Sequence, residues 1–299
     1  MRVAPVLAST LLLLAAACDG KPPSDRPMAA TSTSARAPQP KAPTAASSSL
    51  PSSLPQGITE EEFKAMHEPV HIAATPPRGT MIDLAGTKAY LSLPEGARPP
   101  FPGVTVVHEW WGLNDNIKLW CDRLAKDGYA ALAVDLYGGV VATDADAAMK
   151  AMQAVDQDKA LKTLLAAHAF LRDDPRVKAT RRASIGWCFG GGQSYQLAMH
   201  APDLDACVMY YGRFSTDPKE LAAIKAPLLG IFANLDQGIP PKDVNAFDAA
   251  LTKAGVTHRI LRYDADHAFA NPSGSHYDEE DAKAAWAEVR AFLAEKLKR

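Results

Sequence analysis

The stretch SIGWCFGGGQS, residues 184–194, decides the fold. It begins inside the short apolar run ASIGW (183–187), passes through a glycine-rich turn and enters a pattern of helical type, so it joins a strand to a helix. Cys188 stands at the apex, between Gly186 and Gly190 in a G-x-C-x-G frame. Glycines on both sides permit the strained turn that lifts a nucleophile to the top of a sheet. The helix that follows points the positive end of its dipole at the sulfur. The competing reading is a buried structural cysteine beside a glycine-rich packing contact; the strand, turn and helix around Cys188 favour the nucleophile.

Working outward, short apolar runs alternate with longer periodic segments. A hairpin, MIDLAGTKAYLSL, turns near Gly86. It is followed by VTVVHE (104–109), AALAVD (130–135), ASIGW (183–187), ACVMYYG (206–212), PLLGIFAN (227–234) and HRILRYD (258–264). Most are apolar throughout, as strands covered on both faces must be. Helical patterns fill 114–127, 144–172 with a break, 191–200, 241–254 and 278–297. This alternation predicts a single α/β domain with a mostly parallel sheet and helices on both sides. Ligands then bind beyond the carboxyl ends of the strands.

Three further polar residues fall at such ends. Asp236 follows PLLGIFAN, and His267 follows HRILRYD. The chain order nucleophile, acid, histidine is that of an α/β hydrolase. His267 would shuttle the proton while Asp236 fixes its tautomer. Asp264 and Asp266 are rivals for the acid, but they lie too close in sequence to His267 to orient it easily from behind. Glu109 ends VTVVHE ahead of Trp110 and Trp111. Emerging from a buried strand, it should be desolvated with its pKa tending upward, which suits a base for the thiol proton. A structural carboxylate bonded to backbone is the alternative.

Together the motifs GWCFGG (186–191), HEWWGL (108–113), AVDLYGG (133–139) and DHAFANP (266–272) resemble the dienelactone hydrolase family over residues 80 to 297. The resemblance implies an α/β-hydrolase fold and a Cys-His-Asp triad of Cys188, His267 and Asp236. It also implies that Glu109 pairs with the resting thiol and takes its proton when substrate arrives. The backbone N–H groups of Trp110 and Phe189 would form the oxyanion hole. Trp111, Tyr137, Arg213 and Phe269 are the candidate substrate-binding residues. Where the dienelactone enzymes look to place two substrate-binding arginines, this chain has Gly138 and Gly139, and Asn271 and Pro272.

The implied reaction is cleavage of a small-molecule ester or lactone through a thioacyl-enzyme. A general carboxylesterase or thioesterase would use the same residues. An oxidisable redox thiol and a non-catalytic binding protein are readings of other classes. The redox reading leaves Asp236, His267 and Glu109 without roles, and the presence of all the catalytic residue types argues against a dead binding protein. No metal or organic cofactor is expected, because thioacyl chemistry needs none and no H-E-x-x-H spacing occurs.

At 299 residues, 47% hydrophobic and 22% charged, the chain has the composition of a globular protein, and its net charge of -2 supplies no basic field for nucleic acid. Residues 1–17, MRVAPVLASTLLLLAAA, read as a signal peptide too short to span a bilayer. The ending LAAAC resembles a bacterial lipobox, which would make Cys18 a lipid-modified N-terminus; plain cleavage is the alternative. Residues 18–57 are rich in Pro, Ala, Ser and Thr and read as a disordered tether before a catalytic body at 58–299. The expectation is an exported protein of the periplasm or cell envelope, touching membrane only through that anchor, and a monomer. Cys121 and Cys207 read as core thiols, with a bridge between them left open.

Overall fold

In the computed structural model the described residues are Thr59, Glu61, Lys64 and Pro76 to Lys298. All of these described residues belong to the unit Ser47–Arg299. The segments read as signal peptide, Cys18 anchor and tether lie outside the described residues.

Eight strands form one sheet in the order β1-β2-β4-β3-β5-β6-β7-β8. The hairpin is β1 (Thr80–Leu84) and β2 (Thr87–Ser92), and β2 runs antiparallel to both β1 and β4. The remaining pairs, among β3 (Gly103–Val107), β4 (Ala130–Val134), β5 (Arg182–Trp187), β6 (Ala206–Tyr210), β7 (Leu228–Ala233) and β8 (His258–Tyr263), are parallel. Every residue of β3 to β7 is buried, which is why those segments read as unbroken apolar runs. β8 is at the edge and half-exposed, and its His258, Arg259 and Arg262 discourage pairing with another sheet.

The helices are α1 (Asp115–Lys126), α2 (Ala145–Gln153), α3 (Gln157–Asp173), α4 (Phe189–His200), the short α5 (Pro218–Leu221), α6 (Pro241–Ala254) and α7 (Glu279–Leu297). Ile117, Trp120 and Leu124 of α1 share one apolar layer with Val289 and Leu293 of α7. Leu164 and Leu171 of α3, Leu197 of α4 and Phe247 and Leu251 of α6 form the layer on the opposite face. Cys121 belongs to the first layer and Cys207 to the second, and both are free buried thiols, so the sheet separates them and no bridge forms.

Helix starts follow local chemistry. Asn114, Asp144, Asp156 and Asp278 each accept a backbone N–H of the first turn of α1, α2, α3 and α7. α4 begins instead at Cys188 with no side-chain cap. The donors of its first turn are left to whatever lies above the sulfur.

Candidate active site

The parallel register brings the site together. Val107 pairs with Gly186 and Trp187 with Tyr210, so the chain leaves β3, β5 and β6 side by side and sets Glu109, Cys188 and Tyr211 at one end of the sheet. Ala233 pairs with Tyr263, which places the loops after β7 and β8, carrying Asp236 and His267, next to each other.

Cys188 has φ 53° and ψ -118°, a conformation L-residues avoid. Its N–H donates to the Tyr210 carbonyl at 3.1 Å, which helps hold the turn. A Cβ on Gly186 would lie 2.1 Å from the Gly190 carbonyl oxygen, and one on Gly190 would lie 2.4 Å from that of Val107. The two glycines of the frame are therefore required by close backbone approach. Tyr211 (φ 32°) and Ala268 (φ 64°) are also left-handed, so three non-glycine residues with such backbone surround the sulfur. Each costs about 1–3 kcal/mol and persists only where the surroundings over-determine it.

His267 donates from Nδ1 to Asp236 Oδ2 at 2.6 Å, and both side chains are buried. Asp236 Oδ1 also accepts the N–H groups of Gly238 (2.8 Å) and Ile239 (3.0 Å). Burial pushes the Asp236 carboxyl up, but the His267 charge and these donors outweigh it and hold the pKa below the usual range. For His267, burial favours the neutral ring, yet Asp236 and Cys188 overcome it and raise the pKa well above the ordinary value. With Nδ1 committed to Asp236, the other ring nitrogen is the one left to face the thiol, and Cys188 is among the groups that raise the imidazole pKa.

Glu109 is buried at the end of β3, and burial lifts its pKa to about 7, with His267 pulling the other way. Its Oε2 accepts the Asn271 amide at 2.5 Å. The family resemblance implied a Glu109 paired with the resting thiol, and this carboxyl also takes an amide hydrogen bond. The neighbouring His108 is neutral. Burial lowers its pKa, Nδ1 donates to the Glu109 carbonyl (2.6 Å), and Nε2 accepts the Leu136 N–H (3.1 Å), pinning the loop that carries Tyr137.

Tyr137 packs edge-on to His108 and against Phe189, with its hydroxyl buried and unpartnered. Its electrostatic neighbour is Cys188. Arg213 is half-buried with one guanidinium nitrogen buried and unpartnered, and it too feels Cys188. A cavity of about 710 Å³ beside Tyr137 is lined also by Val140, Lys150 and Lys159 but not by Cys188 or Arg213. Trp111 packs with Trp110 and Met149 under the α2 segment. Phe269 is fully buried against Tyr211 and Tyr263, a packing position beneath the site. Phe189 opens α4, so its N–H is one of the first-turn donors that no helical carbonyl takes.

Asn271, which stands where an arginine was expected, carries no sequence signal of a role at the site. Its partner Glu109 lies 162 residues away, and nothing local announces the contact.

The family model for the dienelactone hydrolase family matches residues 87–297. The chain belongs to the dienelactone hydrolase family. A "Putative carboxymethylenebutenolidase" of Saccharolobus solfataricus is 33% identical over 250 residues, covering 71% of this chain and 95% of that protein. Among solved structures, a "Putative Dienelactone Hydrolase" of Klebsiella pneumoniae has 30% identity and a TM-score of 0.65, covering 73% of this chain and 97% of the other. A dienelactone hydrolase-like promiscuous phosphotriesterase from metagenomic libraries has 27% identity and a TM-score of 0.67, covering 73% and 98%. This dienelactone hydrolase relative thus has the α/β-hydrolase fold and is a carboxylic-ester hydrolase.

Proposed function

We propose that the protein hydrolyses small esters or lactones through a thioacyl-enzyme on Cys188. The observation that carries this is the buried Asp236–His267 pair, hydrogen-bonded through Nδ1 and set at the same end of the sheet as Cys188, which together with Asp236 raises the imidazole pKa. His267 takes the thiol proton as the sulfur forms a bond to the substrate carbonyl carbon. The backbone N–H groups of Trp110 and Phe189 hold the resulting oxyanion. Collapse expels the alkoxide, which takes the proton back from His267. Water, deprotonated by His267, then cleaves the thioester and returns the thiol. In a resting state where the sulfur pairs with Glu109 rather than with the imidazole, that carboxylate, poised near neutrality, takes the thiol proton in place of His267. Trp111, Tyr137 and Arg213 border the substrate. The unpartnered Arg213 nitrogen reads an anionic group on it, in place of the absent arginines at 138–139 and 271–272.

Cys188→Ala, or alkylation by iodoacetamide, should abolish hydrolysis of activated esters, and activity surviving in Cys188→Ala defeats the assignment. Arg213→Ala should slow carboxylate-bearing esters more than neutral ones, and equal effects on both would remove its role. Export with a lipid anchor at Cys18 completes the proposal, supported by the signal-like 1–17 and the tether 18–57. Fatty-acid label persisting in Cys18→Ser would contradict the anchor.

A further inference from the structure

Asn271 is 3% exposed and forms part of a bond network that leaves its amide one orientation. Its Oδ1 accepts from the Ser273 N–H (2.8 Å), the Ser273 hydroxyl (2.6 Å) and Asn116 Nδ2 (3.2 Å). With three donors on the oxygen, that end of the amide cannot also donate, and Nδ2 faces Glu109 Oε2 at 2.5 Å. Asn271 also donates its own N–H to the Ala268 carbonyl at 2.9 Å. That bond closes a turn directly after His267, in which Ala268 holds its left-handed backbone. One tight loop therefore carries both the imidazole and the group that grips Glu109.

We propose that Asn271 is a positioning residue that fixes the Glu109 carboxyl to the His267-bearing turn, so that carboxyl and imidazole are held as one rigid proton-handling unit. The amide is neutral. It donates a hydrogen bond that favours the carboxylate without the full countercharge an arginine would bring, and Glu109 stays able to gain and lose a proton. Titratable groups near that carboxyl include His267, from the same loop as Asn271, and Tyr211, from the end of β6, which also neighbours Cys188. The hydrogen bond stands whether or not Glu109 serves Cys188; only the kinetic consequence rests on the proposed function.

The test is a carbon-13 NMR titration of the full chain labelled at the glutamate carboxyl carbons, with the Glu109 signal assigned by its loss in Glu109→Gln. Asn271→Asp keeps the oxygen that Ser273 and Asn116 bond, so the loop keeps its shape, and it replaces the donor by a second acid. The Glu109 midpoint should then rise by about two units or more. In Asn271→Ala, where the donor is simply lost, it should rise by about one to two units, the value of a hydrogen bond to a charged group. A merely structural residue would lower thermal stability and leave the midpoint in place. A midpoint unchanged or lowered in Asn271→Asp overturns the proposal, whatever the alanine variant does. Failure of the thioacyl mechanism would look different: Cys188→Ala would keep its activity while the Glu109 midpoint still answered to residue 271.

Discussion

Asp236→Asn isolates what the acid does, because the substitution keeps size, removes the charge and replaces one acceptor oxygen by a donor NH₂. Asp236 receives three donors, from His267 Nδ1, Gly238 and Ile239. An asparagine has one acceptor oxygen, and the two backbone N–H groups already converge on a single oxygen at 2.8 and 3.0 Å. The amide oxygen takes those two donors, and the amide NH₂ is turned toward His267. The ring can accept there only if its proton moves to Nε2, which then presents a hydrogen to the sulfur and cannot take one. The same exchange in a Ser-His-Asp triad costs about 10⁴-fold in kcat. A thiol ionises more readily than a hydroxyl, so about 10³-fold is expected here, or about 4 kcal/mol in the barrier. The assay is steady-state hydrolysis of an activated ester, with the unfolding midpoint followed in parallel. Activity within tenfold of the parent, in a folded variant, would refute the reasoning about the tautomer.

Glu109→Gln should separate stability from function. Burial raises the folded pKa of Glu109 to about 7 from its ordinary 4.5, so the folded state holds the extra proton between those values and stability falls as pH rises through that window. The glutamine variant lacks this loss and should be more stable than the parent at pH 8, by up to about 3 kcal/mol, while differing little at pH 4.5; denaturant titrations at the two pH values measure it. Its acylation should also be slowed. Gly190→Ala would put a methyl 2.4 Å from the Val107 carbonyl oxygen and 2.5 Å from that of His108, so α4 must retreat from β3 and carry Cys188 with it. A loss of about 1–3 kcal/mol in stability and about 100-fold in activity is expected.

Much of this was legible because it is written locally. The buried strands β3 to β7 announce themselves as apolar runs, and α6 spans the expected 241–254 because Pro241 opens it and Gly255 closes it in left-handed backbone. Cys188, Asp236 and His267 each follow a strand, and parallel register converts that shared position into proximity. The four-residue α5 was not expected, since one turn led by Asp217 and Pro218 leaves no periodicity to read. Helix α4 starts at Phe189 rather than among the glycines, because the strained turn is confined to Cys188. Contacts made across the sheet's end were the least visible. Phe269 could be placed near His267 from sequence, but its burial under Tyr211 and Tyr263 depends on β6 and β8 together. The Asn271 grip on Glu109 likewise follows from three dimensions alone.

The central claim is a covalent acyl-enzyme on Cys188. Acid-quenching the protein during turnover of an activated ester, followed by mass analysis of the peptide containing residues 184–194, tests it directly. The mechanism predicts a peptide heavier by one acyl group on Cys188 in the parent protein and unmodified in Cys188→Ala, which should also be inactive. Sustained turnover by Cys188→Ala, with no acyl group on this peptide in the parent protein, would contradict it.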